Sequence, residues 1–267
     1  MKEFIKKITP PVLYDLARDI KNKPRKYIPK WNTLSYAPME GVKMYFDPRG
    51  EWQKKLLDGS YDSFLFNRIM GLSPQGKTIC DIGTHVGFHS LYFARLVGRS
   101  GKVFAFEPNQ KNAERIKLNF SENKDLEKIV TLHPIALSIK NGTEELILNT
   151  DVESGRSSGS FIDSADTIWE RNAFEKRGFV KTKVEIKSFD SFGIKPNILK
   201  IDVEGAEFLV LRGARKTIME CKPVIFVEIH SMLNMFDVVS FLKDHSYKPE
   251  IIHKEPDGRC FIEAKPK

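Results

Sequence analysis

Several short apolar runs in this chain end on a carboxylate and pass straight into a turn. Residues 78–81 read Thr-Ile-Cys-Asp81, the run at 102–106 leads to Glu107, that at 198–201 to Asp202, and that at 224–227 to Glu228. Between them lie segments with helical spacing. Alternation of strand and helix is the signature of a parallel sheet flanked by helices. Apolar runs at 77–82, 102–106, 129–132, 180–186, 197–202 and 223–229 read as strands, with helices at 61–70, 88–97, 109–120 and 235–245. A further strand is expected within 136–148, around the Asn141-Gly142 turn, and two short ones near Ile251 and Phe261. A strand at 42–46 and a helix at 51–57 precede them.

With 267 residues the chain suits one large α/β domain carrying an extension. No apolar run approaches ~18 residues, so an integral membrane protein is excluded. The first twenty residues lack an unbroken apolar core, so no cleaved secretory signal is expected. Cys80, Cys221 and Cys260 are widely spaced and make neither a disulfide framework nor a zinc ribbon, which fits a reducing cytoplasm. The net charge of +8 is concentrated at the start: residues 1–30 hold nine Lys or Arg and three acids, and the rest carries only +2. Val12, Leu13, Leu16, Ala17 and Ile20 stand at helical spacing there. Residues 1–40 are thus read as a basic amphipathic extension, and 41–267 as the main domain. The extension could lie on an anionic membrane or on nucleic acid; the plainer reading docks its apolar face on the domain. Residues 151–178, polar and rich in Ser and Gly at their start, form the candidate lid or acceptor-binding insertion.

The turn Asp81-Ile-Gly83-Thr-His-Val-Gly87 carries the most chemistry. A glycine turn between strand and helix lets a ligand approach the backbone, and Glu107 at the next strand end can accept hydrogen bonds from both ribose hydroxyls. A nucleoside ligand is therefore expected. Nicotinamide dinucleotides require G-x-G-x-x-G to admit the pyrophosphate, whereas here the spacing is G-x-x-x-G with His85 inside it. Asp81 repels a dianion and suits a cationic ligand, and S-adenosylmethionine carries an ammonium, a sulfonium and a ribose without phosphate. The second constellation is Lys200-Ile-Asp202-Val-Glu204-Gly205-Ala-Glu207. Asp202 and Glu204 leave a strand at its ligand-binding end, and Glu207 falls in the first turn of the next helix, where the macrodipole alone would favour it. Glu228 and His230, two apart, share a face if their strand persists. His85 and His89 lack the H-E-x-x-H pattern, and Gly87 between them argues against zinc.

These blocks (CDIGTHVGFHSLYFA, VFAFEPN, SFDSFGIKPNILKIDVEGAEFLVLRGA and VIFVEIH) resemble the FkbM family of S-adenosylmethionine-dependent methyltransferases, over about two-thirds of the chain. The resemblance implies a seven-stranded Rossmann-like class I methyltransferase sheet and O-methyl transfer, often to sugars or natural-product hydroxyls. It assigns Tyr61, Asp81, Gly83, Gly87, Glu107 and Asp202 to the cofactor, and Asp202 and Glu204 to the acidic turn beside the reaction centre. The chain departs from the family at Thr84-His85, where a small residue and an asparagine are usual. Candidate bases for the acceptor hydroxyl are Asp202, Glu204 and His230, in that order. A divalent metal bridged by Asp202 and Glu204 is the alternative device.

The expected acceptor is a small molecule or a glycan, foremost a sugar hydroxyl in a glycan or glycolipid, then a polyketide-type natural product. An RNA methyltransferase and a non-catalytic cofactor-binding protein are the remaining alternatives. Nucleic acid is disfavoured: no Asn/Asp-Pro-Pro-aromatic turn and no Pro-Cys nucleophile is present, and a carboxylate-lined mouth repels phosphates. The expected location is the cytoplasm, with residues 1–30 as a peripheral contact at the inner face of the membrane.

Overall fold

The computed structural model describes residues 34–36, 42–45, 55–56, 58–149, 160–163, 165 and 179–267. Nearly all of the basic extension, most of the candidate lid at 151–178, and residues 51–54 and 57 of the helix expected at 51–57 lie outside the described residues.

Thirteen strands are described: β1 (Leu34–Tyr36), β2 (Lys43–Tyr45), β3 (Thr78–Ile82), β4 (Lys102–Phe106), β5 (Val130–His133), β6 (Ala136–Leu137), β7 (Gly142–Asn149), β8 (Phe161–Ile162), β9 (Phe179–Lys187), β10 (Ile198–Ile201), β11 (Val224–Ile229), β12 (Tyr247–Lys254) and β13 (Cys260–Pro266). Seven make the central sheet, in the order β12-β13-β11-β10-β3-β4-β5. The pairs β11/β10, β10/β3, β3/β4 and β4/β5 are parallel, and β13 runs antiparallel to both β11 and β12. The seven-stranded Rossmann-like sheet expected from the sequence is the one observed. Its order reverses at β3, whose neighbours are β4 and β10, and ligands of such sheets bind outside the strand C-termini at that point.

Parallel strands covered on both faces read as continuous apolar runs, as β10 does: Ile198, Leu199, Lys200 and Ile201 are all buried. Successive side chains feed opposite layers. Ile79 and Ile198 enter a core with Leu65, Phe66, Leu91, Phe93 and Ile116, and Cys80 and Leu199 enter one with Val210, Ile218, Val238 and Leu242. Helices α1 (Ser63–Met70), α2 (Phe88–Val97) and α3 (Gln110–Ser121) supply the first layer, followed by the short α4 (Lys124–Glu127). Helices α5 (Glu207–Gly213), α6 (Arg215–Cys221) and α7 (Met232–Asp244) supply the second. Helix α7 begins three residues before its periodicity suggests, because the Ser231 side chain accepts from Asn234 N and caps it.

Two features go beyond the sequence reading. β1 pairs with β2 in a ribbon, so three residues of the span read as an extension belong with the domain. The backbone of β2 is held by α3 and its end: Asn119 Oδ1 accepts from Tyr45 N at 2.8 Å and Asn123 Oδ1 from Lys43 N at 2.9 Å. The strands expected near 136–148 and 180–186 form a second sheet, β6-β9-β7-β8. Its small core of Ala136, Leu146, Ile162 and Ile186 packs on Ala206 and Val203, just beyond β10.

Candidate active site

A cleft of about 540 Å³ opens at the C-terminal ends of β3, β4, β10 and β11. That volume is ordinary for a small-molecule site. One wall is the glycine turn with Glu107, another is the second sheet through Ala136, Leu146 and Phe161, and a third is Tyr61, Asp62 and His89.

The glycine turn is built around Glu107. Its Oε1 accepts from Asn109 N at 3.0 Å and Asn112 Nδ2 at 3.2 Å, and its Oε2 accepts from His85 N at 2.9 Å. Burial pushes the carboxyl up to about 7 against the opposing pull of those donors. His85 adopts φ +54°, a region where glycine and asparagine are at ease. That accounts for the asparagine usual at this point in the family it resembles. Burial, then Arg115, hold the His85 ring down to about 3, so it is neutral in the cleft wall.

Beneath the turn lies an internal ion cluster. Lys200 is 1% exposed, and its Nζ stands 3.4 Å from Asp81 Oδ1, 3.2 Å from Asp202 Oδ2 and 3.1 Å from the Gly83 carbonyl. Asp81 Oδ2 also accepts from Ser90 Oγ at 2.6 Å, and Ser90 meets Thr84 Oγ1 at 2.7 Å. Asp81 is fully buried and absent from the cleft wall. The cation it was expected to attract from a ligand is the protein's own Lys200. Gly87 is displaced from the wall too: at φ +85°, an added Cβ would touch Phe120 and Ile116 of α3 at 3.0 and 3.4 Å. It serves helix packing.

The acidic mouth gathers three carboxylates from two strand ends. Asp202 follows β10, Glu204 sits two residues on at φ +55°, and Glu228 is near the end of β11; all three line the cleft. Burial opposes ionisation of Asp202, but Lys200 and His230 outweigh it and pull the carboxyl down to about 2. Burial raises Glu204, with Asp202 adding to it and His230 opposing. Glu228 is raised well above its ordinary value by burial and Asp202, despite His230 and an ion pair with Arg259 Nη1 at 2.7 Å.

His230, 3% exposed, lies behind these carboxylates and not on the wall. β11 ends at Ile229, so the next side chain turns beneath the mouth. Its Nδ1 is 2.8 Å from Glu207 Oε1. Burial disfavours the charged ring, but Glu204 and Glu207 prevail and raise it well above the usual imidazole value. Glu207 is wholly buried, and it does more than complement a helix dipole. The same Oε1 accepts from Gly205 N at 2.9 Å, and Oε2 accepts from Asn234 Nδ2. It pins the turn that carries Asp202 and Glu204.

Of the residues singled out in the sequence, Tyr61, Gly83, Glu107, Asp202 and Glu204 come together on the cleft wall, while Asp81, Gly87 and His230 stand behind it. Two wall features were not foreseen. His89 Nε2 meets Asp62 Oδ2 at 3.0 Å, and Arg259 reaches Glu228 from the β12–β13 turn. Nothing in the local sequence marks Asp62 or Arg259. Lys200 did carry a signal, since a lysine inside an apolar strand must find an anion. Among the described residues, Asp202, Glu228 and His230 offer donor atoms within 4.8 Å of one another. No described helix is long and apolar enough to cross a membrane.

The same architecture occurs in known proteins. Residues 81–249 match the model of the methyltransferase FkbM domain. Over 211 residues the chain is 25% identical to hexuronic acid methyltransferase AglP of Haloferax volcanii, covering 75% of this chain and 74% of that protein. The crystal structure of methyltransferase FkbM from Methylobacillus flagellatus KT aligns with a TM-score of 0.50 at 18% identity. That likeness is one of fold; it covers 70% of this chain but only 43% of the other.

Proposed function

The chain belongs to the FkbM family of methyltransferases, and from that premise we propose that it moves a methyl group from S-adenosylmethionine to a sugar hydroxyl of a glycan or glycolipid. The observation that carries this reading is one continuous cleft with two chemically distinct ends. At one end Glu107, fixed by three donors beside the Gly83 turn, offers a carboxylate to a ribose. At the other, Asp202, Glu204 and Glu228 offer acceptors to hydroxyl groups. A cleft of about 540 Å³ with Phe106 and Ile135 on its wall suits a nucleoside with an apolar slot for the base.

When bound, S-adenosylmethionine supplies a sulfonium methyl: the acceptor oxygen forms a bond to that carbon, and the carbon–sulfur bond breaks with its electron pair returning to sulfur. The protein aligns the two partners, an effect that can reach ~7–11 kcal/mol. The proton goes to Glu204, whose raised carboxyl is matched to the task. Asp202, held near 2, is a weak base whose charge faces the reaction, and His230 holds its own proton behind the wall. Glu204 thus stands ahead of Asp202 among the candidate bases.

A sugar acceptor is supported by the polar mouth and by the relative named for a hexuronic acid. Lys55 and Arg259 place positive charge on the cleft wall, which suits an acceptor bearing a carboxylate among its hydroxyls. Calorimetric titration with S-adenosylmethionine, followed by transfer of labelled methyl to neutral and uronic-acid oligosaccharides, tests the reading. Cofactor binding and an alkali-stable methyl ether on a sugar are expected. Binding without transfer to any hydroxyl would overturn it in favour of a non-catalytic binder.

A further inference from the structure

We propose that Asp202, Glu228 and His230 hold a divalent cation at the acceptor end of the cleft, and that this ion receives the acceptor's hydroxyl oxygen. The inference rests on the methyltransferase reading for the second half of that statement only. The site itself stands on three observations.

The first is spacing. His230 Nε2 lies 3.7 Å from Asp202 Oδ1 and 3.8 Å from Glu228 Oε1. These distances exceed a hydrogen bond. Donors shared by one ion at ~2.1 Å stand roughly 3 to 4.2 Å apart, and the observed values fall within that range. The atoms come from the ends of adjacent parallel strands β10 and β11 and from the residue just past β11.

The second is the orientation of the imidazole. Nε2 is buried with no hydrogen-bond partner, an arrangement that carries a desolvation cost. Nδ1 faces Glu207 Oε1 at 2.8 Å, and that carboxylate already accepts from Gly205 N. A carboxylate that holds Nδ1–H leaves Nε2 as the atom that faces the acidic group, where a bound cation takes the place of the Nε2 proton. Metal-binding histidines are oriented by such an outer carboxylate as a rule.

The third is charge. Asp81, Asp202, Glu204, Glu207, Glu228 and Asp257 converge on this end of the sheet. Lys200 is divided between Asp81 and Asp202, and Arg259 between Glu228 and Asp257. Two carboxylates and one imidazole form a donor set for a hard to borderline ion of the Mn²⁺ or Mg²⁺ kind. Because Asp202 and Glu228 also line the cleft, such an ion keeps positions open toward the acceptor. A hydroxyl bound there loses its proton more easily, and Glu204 remains the group that takes it.

The experiment uses the full chain stripped with a chelator and titrated with Mn²⁺, read by electron paramagnetic resonance. One Mn²⁺ per chain is expected, with spin-echo modulation from a directly bound imidazole nitrogen. Glu228→Gln and His230→Gln should each weaken binding at least tenfold, and the second should abolish the nitrogen signal. ¹⁵N-histidine labelling of the wild-type chain identifies the ligand even where a variant fails to fold. Absence of stoichiometric Mn²⁺ binding, or binding without a nitrogen signal, overturns the proposal. S-adenosylmethionine titration of the same samples separates the two readings: cofactor binding without Mn²⁺ leaves the methyltransferase standing and removes the metal site. Mn²⁺ binding without the cofactor does the reverse.

Discussion

A Cβ added to Gly83 would stand 1.7 Å from the carbonyl oxygen of Asp202. The turn after β3 and the turn after β10 therefore pass at backbone contact, directly above Lys200, which bonds to the Gly83 carbonyl and the Asp202 carboxylate together. Gly83 also sits at φ +81°, so Gly83→Ala meets both a clash with fixed backbone and an unfavourable dihedral. A loss of at least about 2–4 kcal/mol is expected. Gly87→Ala shares the dihedral problem but meets only side chains at 3.0–3.4 Å, and should cost about 1–2 kcal/mol. Denaturant unfolding of the two variants checks the ranking, and equal losses would contradict it.

Cofactor affinity should depend on pH through Glu107. The carboxyl, raised to about 7 in the free protein, must be ionised to accept both ribose hydroxyls. Binding should tighten between pH 6 and 8 and weaken by up to about tenfold per pH unit below 7. The sign for stability is opposite. Because the folded-state value exceeds the ordinary 4.5, Glu107 contributes stability at low pH that is lost as pH rises through 7. Glu107→Gln should bind the cofactor about 10-fold or more weakly, with no pH dependence in this window. Calorimetry at three pH values reads both effects.

Lys200 holds two buried carboxylates at once. Lys200→Met leaves Asp81 and Asp202 without their shared cation, and removing one member of a buried ion pair costs about 3–5 kcal/mol. Asp81→Asn in the same chain should restore part of that loss. A double-mutant cycle on thermal or denaturant unfolding gives the coupling; strict additivity would show that the two residues do not interact.

Glu204→Gln should lower kcat about 10²–10⁴-fold while leaving the dissociation constant for S-adenosylmethionine within a factor of two or three. Single-turnover methyl transfer separates chemistry from binding. A variant with wild-type turnover would remove Glu204 from the proton path.

Much of the fold is legible because parallel strands buried on both faces must be continuous apolar runs, as at β3, β4, β10 and β11. The carboxylates at their ends stand out against that background. What is not legible is which side of the turn each polar group takes. Asp81 and Lys200 are register partners on adjacent strands, a relation visible only once β10 is known to lie beside β3. The G-x-x-x-G spacing does not say that Gly87 faces α3 and not the ligand. His230 continues the alternation of β11 on paper, but the strand stops one residue earlier. The second sheet was hidden for a similar reason, since β6 is two residues long and takes its register from β9.

The β12–β13 hairpin has a consequence for the order in which the protein comes into being. Arg259 reaches Glu228 only after β13 has inserted antiparallel against β11. A nascent chain emerging from the ribosome can close the glycine turn, Lys200 and the Asp202 end of the mouth from segments already synthesised. Glu228 must wait beside Asp202 without its guanidinium until Arg259 and β13 are translated. The cofactor end of the cleft can thus mature before the acceptor end does, and the β12–β13 hairpin is the segment that completes it.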